Sequence, residues 1–157
     1  MYKEIQIENK QPSTKCVKGA IHWFSINKPD AKVNSLKVRP FIIINRTNYK
    51  SSRVLLSPIQ DLENYMENGQ LKYPYHVALL KEKYKFLHKD SAILLDQIYT
   101  VSKDELFEEC YIGSIDDFTE LDHAIMYNFD LFESMFEEID NMLHKYQDLY
   151  QEKFSRK

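Results

Sequence analysis

Arg39 and Asp96 are the two side chains whose chemistry stands out most from their surroundings. Arg39 sits at the start of an apolar run, Val38-Arg39-Pro40-Phe41-Ile42-Ile43-Ile44. A guanidinium grips phosphate oxygens as a planar fork and does not readily lose its proton, so it suits an anionic ligand. A surface ion pair is the other use for it. Asp96 interrupts a second apolar run, Ile93-Leu94-Leu95-Asp96-Gln97-Ile98. A carboxylate there is costly unless it is paired or opens onto a cleft. It is therefore either a proton acceptor in a site or half of a buried pair with Arg39 or Arg53. Ser57 can offer its hydroxyl to an anion from the end of a strand. Ser57-Pro58-Ile59-Gln60 also reads as a helix start, with Ser as N-cap and Pro at the first helical position. The two uses are compatible, because a helix N-terminus is itself an anion site. His76 follows Tyr73-Pro74-Tyr75 and has the side chain most easily poised near neutral pH. Tyr73, Tyr75 and Tyr99 can stack bases, although with 11 tyrosines in the chain most must simply pack. Lys81, Lys83, Lys85 and Lys89 form one basic run and Lys28, Lys32 and Lys37 another. Such runs are solvated loops or a phosphate track.

Several function classes are excluded. With three glycines in 157 residues, the chain has neither G-x-G-x-x-G nor G-x-x-x-x-G-K-[ST]. Cys16 and Cys110 are far apart and the five histidines are scattered, so no metal is expected, and no other cofactor. No apolar run is long enough to span a membrane, and the first residues carry no apolar secretory core, so a cytoplasmic protein with reduced thiols is expected. Charge is divided unevenly. Residues 1–115 carry 17 basic against 13 acidic side chains, whereas residues 116–157 carry 4 against 11. A basic body suits a polyanionic partner; the acidic segment does not.

The elements that must position these residues follow from periodicity. Residues 1–14 read as a short strand or loose arm, and 27–37 as a polar loop. Strands are predicted at 17–26, 38–45, 53–57, 73–80 and 91–101, the second buried on both faces because its apolar run is continuous. A helix is predicted to start at Ser57-Pro58 and a short one at 102–109, capped by Ser102. Residues 116–155 read as one long helix with apolar residues three and four apart from Phe118 to Leu149 and one polar place, Asn128. Its first half packs on the body; the rest protrudes or meets a partner. Short connections favour an antiparallel, curved sheet. The fold class is therefore mainly β, a barrel domain over 1–115 with a helical extension over 116–157.

Taken in order, K-G-A-I-H-W-F-S-I, V-R-P-F-I-I-I-N, R-V-L-L-S-P-I-Q, Y-P-Y-H-V-A-L and D-S-A-I-L-L-D-Q-I-Y-T-V resemble the PemK/MazF/Kid family, toxins of bacterial toxin–antitoxin pairs. The resemblance covers roughly residues 16–135. It implies an SH3-like barrel of about five strands with a C-terminal helix, a homodimer, and a cognate antitoxin as partner. It also implies an endoribonuclease that cuts single-stranded RNA without metal, by 2′-OH attack, leaving 2′,3′-cyclic phosphate and 5′-OH ends. Carried onto this sequence, the catalytic candidates are Arg39, Ser57 and Asp96. Arg39 would stabilise charge, Ser57 would bond the phosphate and Asp96 would act as base. His76, Gln97, Tyr73 and Lys37 are the RNA-binding candidates, Gln97 reading a base edge or meeting a second copy. The chain departs from the family in its glycine-free 26–37 loop, in Ser57 where a Thr is usual, and in a helix some 20 residues longer. The competing reading is a toxin-like binding module without chemistry that grips a protein target such as a topoisomerase subunit. The long acidic helix either extends a dimer seam or covers the basic groove.

Overall fold

The computed structural model describes residues 2–26 and 36–155, so the expected loop lies largely, and Lys28 and Lys32 lie entirely, outside the described residues. In chain order the strands are β1 (Lys3–Ile5), β2 (Ala20–Phe24), β3 (Leu36–Ile43), β4 (Arg53–Asp61), β5 (Met66–Glu67), β6 (Gln70–Leu71), β7 (His76–Leu79), β8 (Ser91–Leu94), β9 (Tyr99–Ser102) and β10 (Tyr111–Ser114). Two α-helices follow, α1 (Thr119–Asn128) and α2 (Phe132–Ser155). Eight strands form one curled antiparallel sheet in the order β10-β2-β3-β4-β8-β7, with β1 added to β3 and β9 to β4; β5 and β6 make a separate hairpin. The mainly β, curved antiparallel architecture is the expected one, with more strands than the five foreseen. Among the described residues no helix is long and apolar enough to cross a membrane.

Both faces of the sheet are buried, which is why β3 reads as an unbroken apolar run. Ile42 and Ile44 join Ile21, Ile59, Val77 and Ile93 on one face. Phe41 and Ile43 join Ala20, Val54, Leu56 and Leu106 on the other. The first face is closed by α1, whose Leu121 and Ala124 are part of that core. Gly19 allows the closure: it has φ +91°, and a Cβ there would stand 2.7 Å from the Phe118 ring and from the Ile115 carbonyl.

Four expectations are corrected. The helix start at Ser57-Pro58 does not exist; both residues lie inside β4. Residues Arg53–Leu56 of β4 pair with β9 and Ile59–Asp61 with β8. Pro58 sits at the change of partner, where its missing N–H interrupts no ladder. Burial on both faces of β4 thus overrides the local capping signal. Likewise 91–101 is two strands, β8 and β9, separated by a turn at Leu95-Asp96. The segment 102–109 forms two 3₁₀ turns, Lys103–Glu105 and Glu108–Cys110, the first capped by Ser102 Oγ accepting from Asp104 N. Finally, the long helix is broken. Asp130 takes φ +54°, and Leu131 N donates to Met126 O while Asp130 N donates to Tyr127 O. This pattern closes α1 with a left-handed residue, a conformation that Asp tolerates better than most. Asn128, read as a polar place in a heptad, instead donates from Nδ2 to Leu95 O at 2.8 Å.

Candidate functional site

Arg39 lies on β3 two residues before Phe41, so the two share a face. Its guanidinium carbon is 5.1 Å from the centre of the Phe41 ring and 5.8 Å from that of Tyr2. The Lys37 ammonium is 4.6 Å from the same Tyr2 ring. Tyr2 is brought there by β1, which pairs Lys3 with Val38. Among the described residues Arg39 forms no ion pair with a carboxylate. Aromatic faces hold its position without neutralising it, and its fork remains available to an anion.

A second group surrounds His76. Its side chain is buried, and Nε2 lies 3.3 Å from Asp96 Oδ1. Three tyrosine rings stand edge-on around it, Tyr65 at 5.0 Å, Tyr73 at 5.5 Å and Tyr75 at 4.8 Å between centroids. Tyr73 and Tyr75 stack on each other at 5.2 Å and 10°. Asp96 is 42% exposed, in the turn between β8 and β9. It therefore neither interrupts a strand nor pairs with Arg39 or Arg53; His76 is its partner. Its charge, together with burial, which weighs more, raises the Tyr75 phenol above its ordinary pKa. Gln97, half-buried, donates its backbone N–H to Leu94 O.

Arg39 and the His76–Asp96 pair occupy separate places on the sheet. Phe41 pairs with Pro58 on β4, and His76 with Leu94 on β8. From β3 to β7 there are three strand spacings, about 14 Å. Ser57 joins neither group. It is opposite Ile42, on the other face from Arg39, fully buried, and its Oγ has no hydrogen-bond partner among the described residues. Tyr99 packs edge-on against Phe41 at 6.0 Å. Of the basic run after β7, Lys83 is committed to Asp117 at 2.7 Å and Lys89 to Asp61 at 2.9 Å. The Lys83 contact holds Asp117 down to about 2. Those two lysines are thus partly neutralised, whereas Lys81 and Lys85 of the same run are exposed and, like Lys37 and Arg39, in no ion pair among the described residues.

Sequence reasoning did not single out Tyr2 or Tyr65. Tyr2 belongs to a segment whose only signal was the alternation of Ile5 and Ile7. Beside the Arg39 group a cavity of about 400 Å³ opens between the N-terminal arm, β2 and β9, lined by Ile7, Trp23, Phe24, Val38, Tyr99 and Cys110. Burial drives the Cys110 thiol up to about 11, so it is held as the unreactive thiol.

A family model described as PemK-like, MazF-like toxin of type II toxin-antitoxin system matches residues 18–129. Over 90 residues, 56% of this chain and 70% of the relative, the chain is 42% identical to a protein named Endoribonuclease MazF from Staphylococcus epidermidis. It is similar to a solved endoribonuclease in complex with its cognate antitoxin from a mycobacterial species, with a TM-score of 0.53 and 18% identity, covering 73% of this chain and 95% of that one. It is also similar to Mycobacterium tuberculosis toxin MazF-mt6, with a TM-score of 0.50 and 21% identity, covering 71% and 96%. At those identities the structures show a common fold. The family match ends at Phe129, so α2 lies beyond it.

Proposed function

The chain belongs to the family of PemK-like, MazF-like toxins of type II toxin–antitoxin systems, and from that premise we propose that it is an endoribonuclease cutting single-stranded RNA and restrained by a cognate antitoxin. The observation that carries the chemistry is the Arg39 guanidinium, held over the Phe41 and Tyr2 rings and matched to no carboxylate among the described residues. Cleavage by a neighbouring 2′-OH needs a positive group for the non-bridging oxygens, a base for the hydroxyl and a proton for the departing 5′-oxygen. Arg39 supplies the first. Asp96, exposed and steadied by His76, is the group available to take the hydroxyl proton. The 2′-oxygen then bonds to phosphorus as the bond from phosphorus to the 5′-oxygen breaks, and that oxygen takes its proton from solvent water, giving a 2′,3′-cyclic phosphate and a 5′-OH end. No step calls on a metal ion. Lys37 adds a phosphate contact. The stacked Tyr73–Tyr75 pair offers ring surface to an unpaired base, with Gln97 and His76 beside it. Ser57, closed to solvent, has no part in this scheme. Arg39 on β3 and Asp96 in the turn between β8 and β9 make no contact with each other among the described residues, and this is the reason for proposing a homodimer as the working unit, with a second copy completing the centre.

The test is incubation of the purified chain with a long unstructured RNA in EDTA, followed by analysis of the ends. Cyclic phosphate and 5′-OH termini are expected. Intact RNA, or 5′-phosphate ends, would overturn the reading. Intact RNA would favour the binding-module alternative.

A further inference from the structure

Every described side chain of α2 is exposed, yet the helix carries a continuous apolar stripe. The three core clusters take nothing from it. Phe136 is 69% exposed, Met142 64% and Leu149 65%. The Asp130 turn ends α1 on the body and sends α2 away from it. A stripe of this length in water is stable only when covered.

We propose that α2 is covered by α2 of a second copy of this chain, running antiparallel, with Phe132 of one helix opposite Leu149 of the other. Phe132, Ile139 and Tyr146 occupy one seam position of the heptad and Met135, Met142 and Leu149 the other. In the proposed register Phe132 meets Leu149, Met135 meets Tyr146 and Ile139 meets Met142, each twice by symmetry. Phe136 then flanks Leu143 across the seam.

Charge selects this arrangement over the alternatives. Glu138 and Lys145 flank the seam on one side. In the proposed register each faces the other across the two copies, which gives two attractive pairs. A slip of one heptad in either direction sets Glu138 against Glu138, or Lys145 against Lys145 and Glu138 against Glu152, all repulsive. A parallel pair sets Lys153 against Lys153 in the seam and turns Glu138 and Lys145 towards Leu143 and Tyr150. Antiparallel helices also oppose their dipoles head to tail. Specificity of this kind, built from repulsion in the wrong registers, is how helix pairs fix their alignment. The apolar side chains would bury roughly 600 Å² a helix, or about 1,200 Å² in all, the lower edge of a stable interface. Twenty-four residues of helix reach about 36 Å. The contact therefore holds the two bodies at opposite ends and is separate from any contact between the sheets. It does not depend on the RNA-cleaving reading.

The test uses the full chain. Light scattering over a range of concentrations should show Met142→Lys assembling to a lower mass than the parent, with unchanged far-ultraviolet circular dichroism. Glu138→Lys or Lys145→Glu alone should weaken assembly about tenfold, because two attractive pairs become repulsive, and the double reversal should restore it. For orientation, Phe132→Cys and Leu149→Cys chains should give a disulfide-linked dimer on mixing, beyond the parent's background, and not separately. Unchanged mass in Met142→Lys would overturn the proposal and assign the stripe to the chain's own body or to another protein. A double reversal no better than the singles, or cross-linking of either cysteine variant with itself, would overturn it as well.

Discussion

Replacing Arg39 by alanine removes the only guanidinium in the proposed centre and tests the chemistry directly. A donor aimed at the charge that develops on a transferring group is worth about 2.7–4 kcal/mol, or a factor of 10²–10³ in rate. The cost to the fold is smaller and can be separated from this. Arg39 is half-buried and touches the Phe41 and Tyr2 rings, the latter 58% exposed. Two partly solvated cation–π contacts contribute about 1–2 kcal/mol together. The variant should therefore melt a few degrees lower yet remain folded at 25 °C, while single-turnover cleavage of an RNA oligonucleotide falls by two to three orders of magnitude. Arg39→Lys should land between variant and parent, because it keeps the charge and loses the fork. Thermal unfolding and cleavage measured on the same preparation distinguish lost chemistry from lost fold. An alanine variant that stays folded and cuts as fast as the parent would refute the role given to Arg39.

Four further outcomes are expected. Asp96→Asn should lower cleavage by a factor of about 10²–10⁴, as loss of a general base does. Ser57→Ala should leave the rate unchanged and stability equal or slightly improved, because it removes a buried hydroxyl that has no partner; a large rate loss in a folded Ser57→Ala would return that residue to the chemistry. His22 is fully buried, and burial lowers its pKa from 6.5 to about 4. The unfolded chain then takes up the proton first as pH falls, so stability present above pH 6.5 is lost between 6.5 and 4, by up to about 3 kcal/mol. Urea unfolding at pH 7 and 4.5 should show that slope in the parent and a shallower one in His22→Gln. Asn128→Ala should cost about 1 kcal/mol and speed amide exchange at Leu95 and Gln97, since it removes the bond to the Leu95 carbonyl.

What was legible in the sequence was whatever repeats with a strand's or helix's own period. The run at 38–44 declared a strand buried on both faces, and it is one, with Ile42 and Phe41 in different cores. What was illegible depends on partners distant in the chain. Ser57-Pro58 carries every local mark of a helix start, but the local gain from a cap is about 1 kcal/mol. Continuing β4 between β3 on one side and β9 and β8 on the other places Leu56 and Ile59 in two cores at about 1.5–3 kcal/mol each. The larger sum wins, and the proline only decides where β4 changes partner. The same comparison explains Asp96. An apolar run with one acid in it looks like a single strand with a buried charge. It becomes two strands because the turn frees the carboxylate to reach both water and His76.

The break in the long helix connects the site with the extension. Neither glycine nor proline marks it, so periodicity alone runs the helix straight through. The end of α1 is tied to the site, because the turn that bears Asp96 presents the Leu95 carbonyl and Asn128 donates to it. Leu95 also donates its N–H to Tyr75 O, the residue before His76. One short turn is therefore tied to the aromatic group around His76 on one side and to the end of α1 on the other. The polar residue in an otherwise apolar stripe is explained by that tie and not by the heptad. Asp130, free to take a left-handed conformation, then turns the chain outwards. The turn that carries Asp96 is thus tied to the end of α1 by a single asparagine's hydrogen bond, four residues before α2 begins.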